Sequence, residues 1–314
     1  MPPGDTVAVT GGGGFIGSNL VSALLAQGTQ VRIVDNFLSG HRVNVPIHSE
    51  AVSLREGDIT TPGVLDEVCA GASAVFHLAA SVGNKRSIDD PIRDSEINVL
   101  GTLRVLEAAR HAGVQSVVVS SSAGIFGELK TLPIAEDHPI DPDSPYGVSK
   151  LAAEKQCLAY AKLYPLRAVA LRYFNVYGPN QRFDAYGNVI PIFAFKMLRG
   201  EPITIFGDGE QTRDFVHVDD VVQANLRAST EGPSRAYNVG SGTTVTINRL
   251  VELMEEVSGI RANVTHGPPR PGDVRHSRAD VSEAERHLGF APSVRLEDGL
   301  RDYMAWARRE VARP

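Results

Sequence analysis

Three residues are of the right type to move a proton on or off a substrate hydroxyl. Tyr146 and Lys150 lie in Tyr146-Gly147-Val148-Ser149-Lys150, and Ser122 closes the run Ser120-Ser121-Ser122. Positions four apart on a helix share one face, so the phenol and the ammonium are expected side by side. The lysine's positive charge, together with that of an oxidised hydride acceptor nearby, would favour tyrosinate, so the Tyr146 pKa is expected to fall from its usual value of about 10 towards neutrality. A phenol tuned in this way can accept a proton as hydride leaves carbon and return it in the reverse direction. Ser122 would hydrogen-bond the same substrate oxygen and fix its position.

Hydride needs an acceptor, and Thr10-Gly11-Gly12-Gly13-Gly14-Phe15-Ile16-Gly17 is built to hold one. Gly11, Gly14 and Gly17 recur every third residue between a β-branched run and an amphipathic stretch. Glycines let the backbone turn tightly and approach a pyrophosphate, while the helix N-terminus at Phe15 and Ile16 offers free N–H donors and partial positive charge. Asp35 ends the second predicted strand, where a carboxylate can accept both adenosine ribose hydroxyls and would repel a 2′-phosphate. NAD is therefore expected over NADP, although Arg42 lies close enough in sequence to weaken that preference.

The elements that must position these groups follow from periodicity. Short apolar, β-branched runs at 6–10, 30–34, 51–55, 74–77, 116–120 and 166–171 predict strands. Helical patterns at 17–26, 98–111 and 147–163 separate several of them. Such β-α alternation predicts a Rossmann-type, doubly wound parallel sheet of the α/β class. Beyond Gly178 the texture changes to Gly- and Pro-rich loops with helices at 190–198, 247–256 and 281–288, which predicts a smaller C-terminal α/β lobe for substrate.

Composition narrows the partners. The 314 residues are 42% hydrophobic and 22% charged, ordinary for a globular protein. A formal charge of −6, from 31 basic against 37 acidic residues, removes the electrostatic case for nucleic acid or an anionic membrane. Cys69 and Cys157 are too few for a disulfide framework or a four-ligand zinc site, so no metal is expected and a reducing cytoplasm fits. No signal peptide or apolar membrane span is read from the sequence.

From Val7 to about Asp298 the chain resembles the extended short-chain dehydrogenase/reductase family, in its sugar-nucleotide epimerase/dehydratase group. The resemblance is carried by the glycine loop, Asp35-Asn36, Asp58-Ile59, His77-Leu78-Ala79-Ala80, Asn98, and the stretches 120–127, 144–150, 172–179, 213–219 and 270–273. It implies an NAD-binding domain over 1–177, with about 213–240 returning to it, and a nucleotide-sugar lobe over 178–314. Asn36, Asp58, Ile59, Leu78, Ala79, Ala80, Asn98 and Tyr173 are implied cofactor contacts. Asp58 would meet the adenine edge, although by itself it also reads as a helix N-cap, as does Asn98 at the start of its helix.

For the substrate, the resemblance implies Asn175, Arg213 and Arg270 on the diphosphate, Asp273 on a ribose, and Asn188, Val189 and the backbone near Ile205 and Phe206 around uracil. Two guanidinium forks suit a pyrophosphate, which a net-negative protein must grip locally. Members share oxidation at C4 of the sugar. Dehydratases and decarboxylases usually add an acid just after the catalytic Ser, where this chain has Ala123 and Gly124. That implies a UDP-sugar 4-epimerase working through a transient 4-keto sugar. Ser277 falls where narrow glucose/galactose epimerases carry an aromatic, which leaves room for a 2-acetamido group. Arg182 and Lys85-Arg86 are candidates to pair with a uronate carboxylate. UDP-glucose, UDP-N-acetylglucosamine and UDP-glucuronate thus all stand as substrates, and the helices at 98–111 and 147–163 resemble a homodimer interface.

Overall fold

The computed structural model describes residues 4–183, 187–269 and 274–313. β1 (Thr6–Thr10) runs through the glycine loop into α1 (Phe15–Ala26), followed by β2 (Gln30–Asp35), β3 (Val52–Glu56), α2 (Val64–Cys69) and β4 (Ala74–His77). After α3 (Asn84–Asp89) and α4 (Pro91–Ser95), a π-helical turn over Glu96–Gly101 leads into α5 (Thr102–His111). β5 (Ser116–Ser122), α6 (Pro145–Leu163) and β6 (Arg167–Tyr173) complete the first half.

The second half begins with β7 (Asn175–Tyr177), α7 (Val189–Leu198), β8 (Ile203–Phe206), β9 (Thr212–Arg213), β10 (Phe215–His217) and α8 (Val218–Ala228). It continues through β11 (Ala236–Val239), β12 (Val245–Thr246), α9 (Ile247–Ser258), β13 (Val264–Gly267), α10 (Ser282–Leu288) and α11 (Leu296–Val311).

Seven strands form one parallel sheet in the order β11-β6-β5-β4-β1-β2-β3. The order reverses between β1 and β4, which opens a crevice at their C-terminal ends where ligands of doubly wound sheets bind. Thr10 pairs with His77 across that crevice. One face of the sheet buries Val7, Val9, Leu20, Leu24, Ile33 and Phe76 with Val221 and Ala224 of α8. The other buries Val34, Val75, Val119, Leu106 and Ala153 under α2, α5 and α6. Strands covered on both faces must be apolar throughout, which is why β1, β4 and β5 read as unbroken runs.

A separate core gathers Phe193, Ile203, Leu250, Met254, Leu300 and Trp306 from α7, β8, α9 and α11. β13 pairs with β8, and the short β12 with β9. Between the two cores the chain crosses back: β10 pairs with β7, α8 packs against α1, and β11 adds to the main sheet beside β6.

Two local expectations change. α6 starts at Pro145, two residues earlier than periodicity suggests, because the Ser144 hydroxyl accepts the Gly147 N–H at 3.1 Å and Pro145 is preset for the first helical position. Asn98 does not open a helix; it sits buried inside the π-turn, where capping is irrelevant and its amide serves tertiary contacts. No helix among the described residues is long and apolar enough to cross a membrane.

Candidate active site

β5 and α6 deliver the proposed proton-transfer group. Ser122 is the last residue of β5, and Tyr146 and Lys150 occupy the first turns of α6, which packs against that strand. The Tyr146 ring and Ser122 Oγ converge over Gly124, where a Cβ would stand 3.3 Å from Ser122 Oγ and 3.7 Å from the Tyr146 ring. Ser122 Oγ also accepts the Gly124 N–H at 3.1 Å. The Tyr146 N–H is anchored by Ser87 Oγ at 3.0 Å, and the Ser144 hydroxyl reaches Asn84 Oδ1 at 3.2 Å, so α3 braces the start of α6. The Lys150 ammonium is buried and donates to Ser120 Oγ at 3.2 Å.

The electrostatics differ from the expectation. Burial pushes the Tyr146 phenol above its usual range, the hydrogen bond from Ser122 opposes this, and nearby Asp94 adds to the rise. Burial also brings the neighbouring Lys150 ammonium down to about 8, while Asp94 draws it back up. Helical spacing reports adjacency but not the cost of enclosing two ionisable groups together. A positive charge placed beside the phenol would oppose that rise.

Asp94 is the site residue that the sequence reading missed. It is 1% exposed, and its carboxylate accepts the Ser149 hydroxyl at 2.5 Å and the Asn98 amide at 3.2 Å. Asn98 also exchanges hydrogen bonds with the Ser81 N–H and carbonyl, both at 2.9 Å. The only sequence hint was polar residues at helical spacing in Asp94-Ser95-Glu96-Ile97-Asn98.

The crevice side fits a dinucleotide. α1 carries no side-chain cap, so its first N–H groups face the loop without intrahelical acceptors. Gly11 has φ +74°, and a Cβ there would stand 2.7 Å from the Ala79 nitrogen. A Cβ on Gly17 would lie 2.1 Å from the Gly11 carbonyl oxygen. Ala79, between Leu78 and Ala80, is held by Thr10 Oγ1 at 3.1 Å. Asp35 accepts one bond on each oxygen, from Gly13 N–H and Phe37 N–H, both at 2.8 Å. Each oxygen keeps a lone pair for a ribose hydroxyl. Arg42 is drawn away to Glu56 and lies over the Phe37 ring, so it is not offered to a 2′-phosphate.

Asp58 is saturated rather than poised for adenine. Its oxygens accept from Thr60 N–H and Oγ1, Asn36 and Arg93, which fills the lone-pair capacity of a carboxylate and makes it a brace between β2 and α4. It caps no helix. Ile59 is buried against Gly101. Tyr173 is buried, and its hydroxyl donates to Asn225. His77 bridges Thr10 at 2.7 Å and Thr102 at 3.0 Å, and burial holds its pKa down at about 3, so it stays neutral.

A family model described as the NAD dependent epimerase/dehydratase family matches residues 7–240. The chain belongs to that family, in its nucleotide-sugar epimerase group. This epimerase is 40% identical over 300 residues to the UDP-glucose 4-epimerase of Mycolicibacterium smegmatis, covering 93% of this chain and 95% of that one. It is also similar to the solved UDP-glucose 4-epimerase of Thermotoga maritima with UDP-glucose (38% identity, TM-score 0.92, 98% and 99% coverage). The UDP-N-acetylglucosamine 4-epimerase of Methanobrevibacter ruminantium, in complex with UDP-N-acetylmuramic acid, matches at 35% identity and TM-score 0.94, covering 99% and 100%. NAD is the cofactor of this epimerase.

The residues expected on the substrate side differ in how they are held. The Asn175 amide donates to the Asp214 carbonyl at 3.0 Å, which fixes it between β7 and β10. Arg213 Nη1 donates to the Thr212 carbonyl at 2.9 Å. The two acids beside Arg213 in sequence are engaged elsewhere: Asp214 by Ser241, Gly242 and Ala279, and Asp219 by His217. Asn188 is exposed at the head of α7 with no capping bond, next to half-buried Val189. Ile205 is buried in the lobe core, so only its backbone can face a ligand, while Phe206 is half-buried. Ser277 is half-buried, its N–H on the Thr212 carbonyl at 3.2 Å. Arg270 and Asp273 lie outside the described residues.

Arg182 is not a sugar-pocket cation. Its guanidinium donates to Glu310 at 2.8 Å and Asn44 at 3.2 Å and lies over the Trp306 ring, so it is committed to the C-terminal helix and the glycine loop's neighbour Asn44. Lys85 pairs with Asp89.

Proposed function

We propose that this epimerase inverts C4 of a UDP-linked sugar through a transient 4-keto intermediate. The observation that carries the reading is the convergence of Tyr146, at the start of α6, and Ser122, at the end of β5, over Gly124, with Ala123 and Gly124 where a second acid would stand. NAD, held by Gly11, Gly14, Gly17 and Asp35, supplies the hydride acceptor and, in its oxidised form, the positive charge that the buried phenol needs. Tyr146 would take the proton from the C4 hydroxyl as hydride leaves C4 and, once the keto sugar has turned its opposite face to the same hydride source, give the proton back to O4 as hydride returns to that face, which inverts C4. Ser122 orients that oxygen, and Lys150 keeps a counter-charge behind the phenol. A carboxylate at position 124 would sit against Ser122 Oγ, since a Cβ there comes within 3.3 Å of it. Without one, no group next to Ser122 is placed to remove a C5 proton and start dehydration.

Asn175, Arg213, Arg270 and Asp273 are the proposed diphosphate and ribose contacts, with Asn188, Val189 and the backbone at Ile205 and Phe206 around uracil. Small, half-buried Ser277 supports a pocket that admits a 2-acetamido group as well as an unsubstituted hexose. A cavity of about 490 Å³ runs beside it, lined by Gly127, Lys130, Asp143, Arg275 and His276 among others. UDP-glucuronate stays a candidate, with Lys85-Arg86 as its remaining proposed cations once Arg182 is committed to Glu310.

We also propose a homodimer, because Leu100 and Val148 stand half-exposed on the π-turn and α6, and Ile88 and Ile92 are exposed on α3 and α4 nearby. The buried, unpaired Cys69 and Cys157 fit a cytoplasmic setting.

Incubation with NAD and UDP-glucose, UDP-N-acetylglucosamine and UDP-glucuronate in turn, with products resolved by chromatography and NMR, tests the reading. A C4 epimer at equilibrium supports it. An accumulating keto-sugar, or consumption of stoichiometric NADH, makes the protein a dehydratase or a reductase instead.

A further inference from the structure

Residues 179–182 cross from the end of β7 to the glycine-loop helix. Asn19 Nδ2 donates to the Pro179 carbonyl at 2.9 Å and Asn180 Nδ2 to Ser18 Oγ at 3.0 Å, both on the first turns of α1. The next side chain, Arg182, binds Glu310 on α11 with Nε and Asn44 with Nη1. Asn44 in turn donates to the Gly13 carbonyl at 3.0 Å, which also accepts the His41 N–H at 2.9 Å. The Gly13 N–H goes to Asp35. Both ends of the Gly13 peptide are therefore fixed from outside the loop, and one of those supports runs through Arg182 to the C-terminal helix.

The pair at the centre of this chain is not a surface ion pair. The Arg182 and Glu310 side chains are 19% and 9% exposed, and the guanidinium is also stacked on Trp306. Such a pair is screened less than an exposed one, and it loses little entropy on forming because packing already holds it.

We propose that Arg182, Asn44 and Glu310 form a latch that retains NAD by pinning the Gly13 peptide to the C-terminal helix. This rests on the reading that the glycine loop holds the cofactor. Release of NAD requires the loop to relax away from its pyrophosphate, and that motion must break the Asn44–Gly13 bond or pull Asn44 off Arg182. The latch residues are positioning residues, since they act on the cofactor only through Gly13.

The test follows release of bound NADH by its fluorescence, chased with excess NAD, in the whole protein. Asn44→Ala removes the middle link and leaves the Arg182–Glu310 pair whole; Glu310→Gln removes one charge with little change of shape. Each is expected to speed release about tenfold, the worth of one hydrogen bond to a charged group. The double variant is expected to be no faster than the faster single variant, because the links act in series. Release at the wild-type rate in Asn44→Ala overturns the latch, as do fully multiplicative effects in the double variant. Asp35→Ala separates the two readings: if it releases NADH at the wild-type rate, the glycine loop is not the cofactor site and the latch falls with it. If Asp35→Ala is fast and Asn44→Ala is not, only the latch fails.

Discussion

Glu154 meets Arg172 through two parallel hydrogen bonds, Arg172 Nε to Oε2 at 2.9 Å and Nη2 to Oε1 at 2.8 Å, with both side chains out of solvent. Ser121 Oγ donates to the same Oε2 at 2.8 Å. Glu154 lies one turn beyond Lys150 on α6, Ser121 precedes Ser122, and Arg172 precedes Tyr173. The pair therefore locks the helix that carries Tyr146 to β6, and Ser121 ties the same carboxylate to β5, the strand that carries Ser122. Breaking it leaves a buried charge alone, so Glu154→Ala is expected to cost about 3–5 kcal/mol of stability in urea unfolding. Glu154→Gln combined with Arg172→Met should recover part of that loss. Equal stabilities for the wild type and Glu154→Ala contradict the role.

His77 gives a pH signature. Its folded pKa, about 3, lies below the ordinary 6.5 because burial disfavours the imidazolium and Lys150 repels it. The unfolded chain takes up a proton below about 6.5, while the folded chain resists until about 3. The neutral histidine's contribution is therefore whole above about 6.5 and is lost as pH falls towards 3, by up to roughly 1.4 kcal/mol per pH unit. Urea midpoints between pH 7 and 4 should fall more steeply for the wild type than for His77→Gln. Parallel slopes would show that His77 does not titrate on unfolding.

Cofactor choice should respond to Asp35 and Glu56 together. Asp35→Ser removes the repulsion towards a 2′-phosphate, and Glu56→Gln weakens the hold on Arg42, which lies beside the same loop. The double variant is expected to bind NADP at least about tenfold more tightly than the wild type does, from one added charge-assisted contact. Fluorescence titration with NADPH measures this, and unchanged NADPH affinity would place the adenosine ribose elsewhere.

Much of this was legible in the sequence because it is local. The glycine loop, Asp35 and the Tyr146–Lys150 spacing each declare themselves within one turn or one strand end. What depended on distant partners did not. Arg182 reads as a pocket cation beside Gly178-Pro179, yet its partner Glu310 lies 128 residues away. Asp58 reads as an adenine contact until Arg93 and Asn36 fill its acceptors. Asp94 carried no motif at all, since a buried carboxylate is defined by what encloses it. The burial that works against the expected Tyr146 shift was missed for the same reason: enclosure is invisible to spacing.

The central claim is that the Tyr146 hydroxyl carries the proton at C4. Turnover of the best UDP-sugar by Tyr146→Phe, measured beside its bound NAD content and far-UV circular dichroism, tests this most directly. A loss of about 10²–10⁴-fold in kcat is expected, with NAD still bound and the fold intact. Full turnover in that variant would contradict it.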